Sequence, residues 1–197
     1  MNYSIYAEST PNPEVMKFVS NRMLADKSIE IVTLQEAKGI SIAEELLKFP
    51  FVKSIYLSAN FISISKTKDL EWEDIAMQLR VFIADHLNSN QIKNYTENSI
   101  GKDINNEGIS DNKKGEIREF NNEEKEIEKI LDQYIKPAVA SDGGEISLNY
   151  YKDNIVCVDL KGACSGCPSS TSTLKGGIEN LLKQKINPDI QVIANET

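Results

Sequence analysis

Gly162-Ala163-Cys164-Ser165-Gly166-Cys167-Pro168 is the stretch on which the reading of the chain turns. Before it, Ile155 to Leu160 alternates, with Val156, Val158 and Leu160 on one face, which reads as a strand. After it, Leu174, Ile178, Leu181 and Leu182 recur at helical spacing. Proline at the first helical position gives up only a donor that would be orphaned anyway. The order is therefore strand, glycine-bearing turn, helix. Gly166 lets the backbone turn between two thiols that point to one side. The positive end of the following helix is expected to favour thiolate there.

Working outward, Glu145 to Tyr150 reads as a strand with Ile146, Leu148 and Tyr150 on one face, turned back by Lys152-Asp153-Asn154. Asn187-Pro188-Asp189 breaks the helix, and Ile190 to Ile193 closes the sheet. Asn122 can cap an earlier helix with Ile127, Ile130, Leu131 and Tyr134 on one stripe, ended by Pro137. Between them, Asp142-Gly143-Gly144 reads as a forced turn in which Asp142 has no further role. This pattern gives a three-stranded sheet covered by helices on one face, with the other face left for partners or solvent.

The first half is built differently. Strands are expected at Val15–Ser20, Ser28–Thr33, Val52–Leu57 and Phe61–Ser65, the last two joined as a hairpin. Thr10-Pro11-Asn12-Pro13 fixes a rigid loop. Ser41 and Glu44 spell a capping box for a short helix, and Asp69 can cap a longer one carrying Trp72, Ile75, Leu79 and Ile83. His86, the only histidine, lies near the end of that helix, and no chemistry is assigned to it. Asn88 to Asn121 is polar and asparagine-rich, without sustained periodicity, and cannot bury enough surface to offset the entropy of ordering it. A flexible tether of this length spans about 30 Å. The expectation is an α+β chain of two small sandwich-type domains that move independently: residues 1–88, a polar linker over 89–121, and residues 122–197.

The net charge of −8 gives no general affinity for nucleic acid or anionic membranes. No stretch approaches a membrane span, and the first residues lack secretory or transit-peptide character. Three cysteines do not make a disulfide framework, so the expectation is a cytoplasmic protein.

Cys-x-x-Cys alone serves zinc sites, iron–sulfur clusters and dithiol–disulfide pairs. Counting decides more. Zinc and iron–sulfur centres usually take four protein ligands, and this chain offers two good ones, Cys164 and Cys167. Cys157 sits within a strand and reads as a neutral strand residue. The remaining ligands must come from a second chain, so a metal-bridged homodimer follows. A thioredoxin-like dithiol–disulfide oxidoreductase is the alternative, with Cys164 attacking and Cys167 resolving, although the preceding hairpin is not the βαβ frame of such motifs. Structural zinc bridging a dimer is a third reading.

The run Leu160 to Ser170, with Asp142-Gly143-Gly144 before it and Thr173-Leu174-Lys175-Gly176-Gly177-Ile178-Glu179 after it, resembles the carboxy-terminal domain of the Nfu family over roughly residues 123–194. Thr10-Pro11-Asn12-Pro13 with Met16-Lys17-Phe18, and Trp72-Glu73-Asp74-Ile75, are similar to the Nfu amino-terminal domain. The resemblance implies a non-enzymatic iron–sulfur scaffold or carrier. Two protomers would hold one 4Fe-4S cluster between their Cys164 and Cys167 pairs. Upstream assembly proteins would supply the cluster, and apo-protein acceptors would receive it.

Overall fold

A computed structural model describes residues 2–89, 120–165 and 168–195. The expected linker therefore falls almost wholly outside the described residues, as does Cys167. The first unit comprises β1 (Ile5–Ser9), β2 (Val15–Ser20), β3 (Ile29–Ile31), α1 (Ser41–Leu46), β4 (Val52–Ser58), β5 (Phe61–Lys66) and α2 (Trp72–Ser89). Its strands form one antiparallel sheet in the order β1-β2-β5-β4-β3. Alternation sends Phe18, Ile55, Leu57, Ile62 and Ile64 to one face, where they pack with Leu46 of α1 and Ile75, Leu79 and Ile83 of α2. Ile62, Ile64 and Ile83 are fully buried.

The second unit comprises α3 (Asn122–Ile130), a π-helical turn (Leu131–Ile135), α4 (Lys136–Ser141), β6 (Gly144–Lys152), β7 (Ile155–Gly162), α5 (Pro168–Lys185) and β8 (Gln191–Asn195). Its sheet runs β6-β7-β8, with β6 antiparallel and β8 parallel to β7. Ile127 and Leu131 pack with Ile146, Val156, Val158, Ile178, Leu182 and Val192 in a second core. The α+β architecture is thus present in two sheets, each with its own core. Among the described residues no helix is long and apolar enough to cross a membrane.

Several local expectations are corrected. The box at Ser41 and Glu44 does not form: Ser41 Oγ lies 3.0 Å from His86 Nε2, and Glu44 accepts from the Gly39 amide instead. A complete capping box closes the start of α3, where the cap is Asn121 rather than Asn122 and the partner is Glu124. The longer helix of the first unit starts at Trp72, beyond Asp69. Pro137 does not end the helical run. The chain widens into the π-helical turn and restarts as α4 with the proline in its first turn, where a missing N–H costs nothing. Tyr150 is not on the face of Ile146 and Leu148, because the register shifts between Leu148 and Tyr150.

The two units are also not apart. The outer face of the five-stranded sheet lies against the end of β7 and the Asp142-Gly143-Gly144 turn. A single register row crosses all five strands there: Glu8 opposite Lys17, Lys17 opposite Ser63, Ser63 opposite Tyr56, and Tyr56 opposite Glu30. Lys17 Nζ donates to the Ser141 carbonyl at 2.8 Å, and Ser63 Oγ donates to the Gly143 carbonyl at 2.7 Å. The Tyr56 hydroxyl donates to Glu145 at 3.2 Å, and Glu30 accepts from the Gly162 amide at 3.4 Å. Lys17, Ser63 and Tyr56 are all buried, so this contact excludes water.

Candidate functional site

The site is the turn between β7 and α5. Gly162 stands at φ +64°, and a Cβ there would lie 2.6 Å from the Gly143 carbonyl oxygen and 2.8 Å from the Tyr56 ring. Both the backbone conformation and the closeness of its neighbours require glycine at this position. The Ala163 amide donates to the Gly143 carbonyl at 3.2 Å, tying the turn to the Asp142-Gly143-Gly144 segment. Ser165 closes it by donating both its amide (3.1 Å) and its hydroxyl (2.9 Å) to the Gly162 carbonyl. From the first turns of α5, Thr171 Oγ1 donates to the Cys164 carbonyl at 3.3 Å.

Cys164 points inward and is 9% exposed. Burial, with the Asp142 carboxylate nearby as a smaller cause, pushes its thiol up to about 11. Burial thus opposes the thiolate that the following helix is expected to favour at Cys164. Asp142 is likewise more than a turn residue, since its charge bears on this thiol. Cys157 is buried in β7 opposite Tyr150, and burial raises its thiol as well. Among the described residues no three His, Cys, Asp or Glu side chains converge as a metal-binding group.

A cavity of about 430 Å³ opens beside Cys164, lined among others by Asp142, Ala163, Leu174 and Val139, and by Pro11 of the first unit. Next to Pro11, Asn12 is 2% exposed. Its side-chain amide donates to the carbonyls of Ala163 (3.2 Å) and Ser165 (3.1 Å), the residues on either side of Cys164. Reasoning from the sequence missed Asn12, Lys17, Ser63, Tyr56 and Glu30. A signal existed in Phe61-Ile62-Ser63-Ile64, where a small polar residue between isoleucines marks a sheet face that is not packed on apolar side chains.

The fold and the thiol-bearing turn define a class: two α+β units, the second carrying Cys164 on its β7–α5 turn and the first docked against that turn. The family descriptions match in the same order. "NifU-like domain" matches residues 127–193 and "Scaffold protein Nfu/NifU N terminal" matches residues 5–90. The chain belongs to the Nfu family. A Drosophila ananassae protein named "NFU1 iron-sulfur cluster scaffold homolog, mitochondrial" is 32% identical over 98% of this chain and 64% of its own length. The Homo sapiens protein of the same name is 29% identical over 95% of this chain and 69% of its own. An Arabidopsis thaliana protein, "NifU-like protein 4, mitochondrial", is 28% identical over 93% and 62%. The chain thus spans about two thirds of the length of these relatives. Among solved structures, a solution structure of a Saccharomyces cerevisiae NifU-like protein covers 49% of this chain and 87% of that one at 22% identity, with a TM-score of 0.40. The expectation of a cytoplasmic protein is corrected here, because these relatives are all named mitochondrial. Three cysteines, too few for a disulfide framework, suit any reducing compartment equally, so composition could not discriminate.

Proposed function

We propose that this chain is a scaffold and carrier, not an enzyme, that takes up a 4Fe-4S cluster as cargo between two copies of itself and passes it to apo-proteins. Cys164 and Cys167 are the ligands, two from each chain. What carries this reading is the ligand count. Cys164 lies on a turn shaped by Gly162 and Gly144, no three ligand side chains converge among the described residues, and relatives of the chain are named iron–sulfur cluster scaffolds. A cluster shared across a symmetric interface is only half enclosed by each chain, so opening the pair exposes it to the cysteines of an acceptor. Donors are upstream assembly proteins, and acceptors are apo-proteins with vacant thiol sites.

The dithiol-enzyme reading needs an attacking thiolate at Cys164. The motif, however, follows an antiparallel strand pair rather than the βαβ unit of such enzymes. Anaerobic reconstitution with iron and sulfide tests the proposal. Iron and sulfide matching one 4Fe-4S cluster per two chains is expected, lost in Cys164→Ala and in Cys167→Ala. Retained cluster in either variant, or a colourless monomer from the wild type, overturns it.

A further inference from the structure

Among its described residues the first unit carries no metal-ligand set, yet its surface is shaped to the cysteine turn. We propose that Asn12 is a positioning residue through which the amino-terminal unit latches that turn closed, and that Cys164 meets a second chain only when the latch opens. The inference rests on the cluster-bridging reading of Cys164. Its support is geometric. Asn12 is almost fully buried and takes up the two carbonyls that flank Cys164, while Pro11 forms a wall of the cavity beside the sulfur. Lys17 and Ser63 hold the carbonyls of Ser141 and Gly143 farther along the row. A thiolate that bridges two chains has to face its counterpart, whereas here the sulfur seats against Gly144 in the core of its own unit, and the first unit holds the turn in that inward setting through the two flanking carbonyls.

Asparagine suits the position because it works in two directions. Its amide supplies two N–H donors to two carbonyls, while its Oδ1 accepts from the Glu14 amide at 3.0 Å. Thr10 fixes the loop from the other side, donating to the Asn12 and Val15 carbonyls and accepting from the Asn12 amide. Aspartate would keep the oxygen that serves Glu14, lose both donors, and set a negative charge against two carbonyls. Asn12→Asp therefore opens the latch while preserving the loop.

The test is the rate of Cys164 alkylation by iodoacetamide in the cluster-free full chain, read by peptide mass so that each cysteine is followed separately. Asn12→Asp is expected to label Cys164 about tenfold faster than wild type, the loss of two hydrogen bonds against a buried partner. Trp72, whose indole donates to the Pro13 carbonyl at 3.0 Å, reports by its emission that the loop is intact. Equal rates with unchanged emission overturn the latch. Should Asn12→Asp disturb Trp72, Lys17→Met, at the other end of the contact, carries the same test: faster labelling supports the latch and an unchanged rate overturns it. The readout needs no cluster. Failure of the cluster-bridging reading would appear instead as wild type that takes up no iron and sulfide, leaving the labelling ratio untouched.

Discussion

A Cβ added to Gly144 would lie 2.7 Å from Cys164 Sγ, closer than any real side chain tolerates. The same atom would be 2.8 Å from the Lys161 carbonyl oxygen and 3.1 Å from the Cys164 amide. The second glycine of Asp142-Gly143-Gly144 is thus the seat of the thiol, and it pairs directly with Gly162 at the end of β7. Two of the three clashing atoms are backbone and cannot swing away. Gly144→Ala is expected to destabilise the carboxy-terminal unit by about 1–3 kcal/mol, as overpacking does in a tight core. Urea unfolding checks it. The circular dichroism transition should fall, while emission from Trp72, the only tryptophan, moves less because it reports the other unit.

Cys164 alkylation should have an unusual pH profile. Thiolate is the reacting form, so the rate follows its fraction. With the thiol pushed up to about 11 by burial, the wild-type rate should keep rising about tenfold per pH unit through pH 9 and 10. A plateau by about pH 10, where an ordinary cysteine is almost fully ionised, would show that the turn does not bury this sulfur in solution.

Glu30 offers a test of the docked face by pH. Burial holds its carboxyl above the ordinary carboxylate value, against the opposing pull of the Gly162 amide and Lys161, while Glu36 pushes it further up. A carboxyl raised in the folded state contributes most below its unfolded value and loses that contribution as pH rises through its folded value. Glu30→Gln keeps an oxygen for the Gly162 amide and removes the charge. It is expected to raise the melting temperature at pH 7 and leave it unchanged near pH 4, where wild-type Glu30 is itself neutral. An equal shift at both values would mean that the carboxylate is not the cause.

Much of the second unit was legible in the sequence. The alternation of Val156, Val158 and Leu160 and the helical spacing of Ile178 and Leu182 are direct consequences of burying one face. What escaped reading depended on partners distant in sequence. Ser41 spells a helix cap, but His86 of α2 lies within hydrogen-bond distance of its hydroxyl. Pro137 spells a stop, but the π-helical turn before it lets the chain re-enter a helix. The docking row is illegible for a further reason. Lys17, Ser63, Tyr56 and Glu30 belong to four different strands, and only the sheet register lines them up. Polar outward positions on a strand ordinarily face solvent, so even Ser63 between its isoleucines marks a polar face without saying that anything covers it.

The pair Tyr56 and Glu145 gives the sharpest test that the two units meet in solution, because it joins one residue from each. The Tyr56 hydroxyl donates to Glu145 at 3.2 Å, and burial, with Glu145 among the smaller causes, holds the phenol above its ordinary value. Tyr56→Phe deletes the donor with little change of shape, and Glu145→Ala deletes the acceptor. Each alone is expected to cost about 0.5–1.5 kcal/mol, the usual net worth of such a bond. If the contact is real, the double variant costs less than the sum of the single ones, because the second change removes an interaction already lost. Thermal unfolding of the four proteins at pH 7 measures the difference. Strict additivity would mean that neither residue senses the other, and the docked face would then have to open far more readily than its buried hydrogen bonds imply.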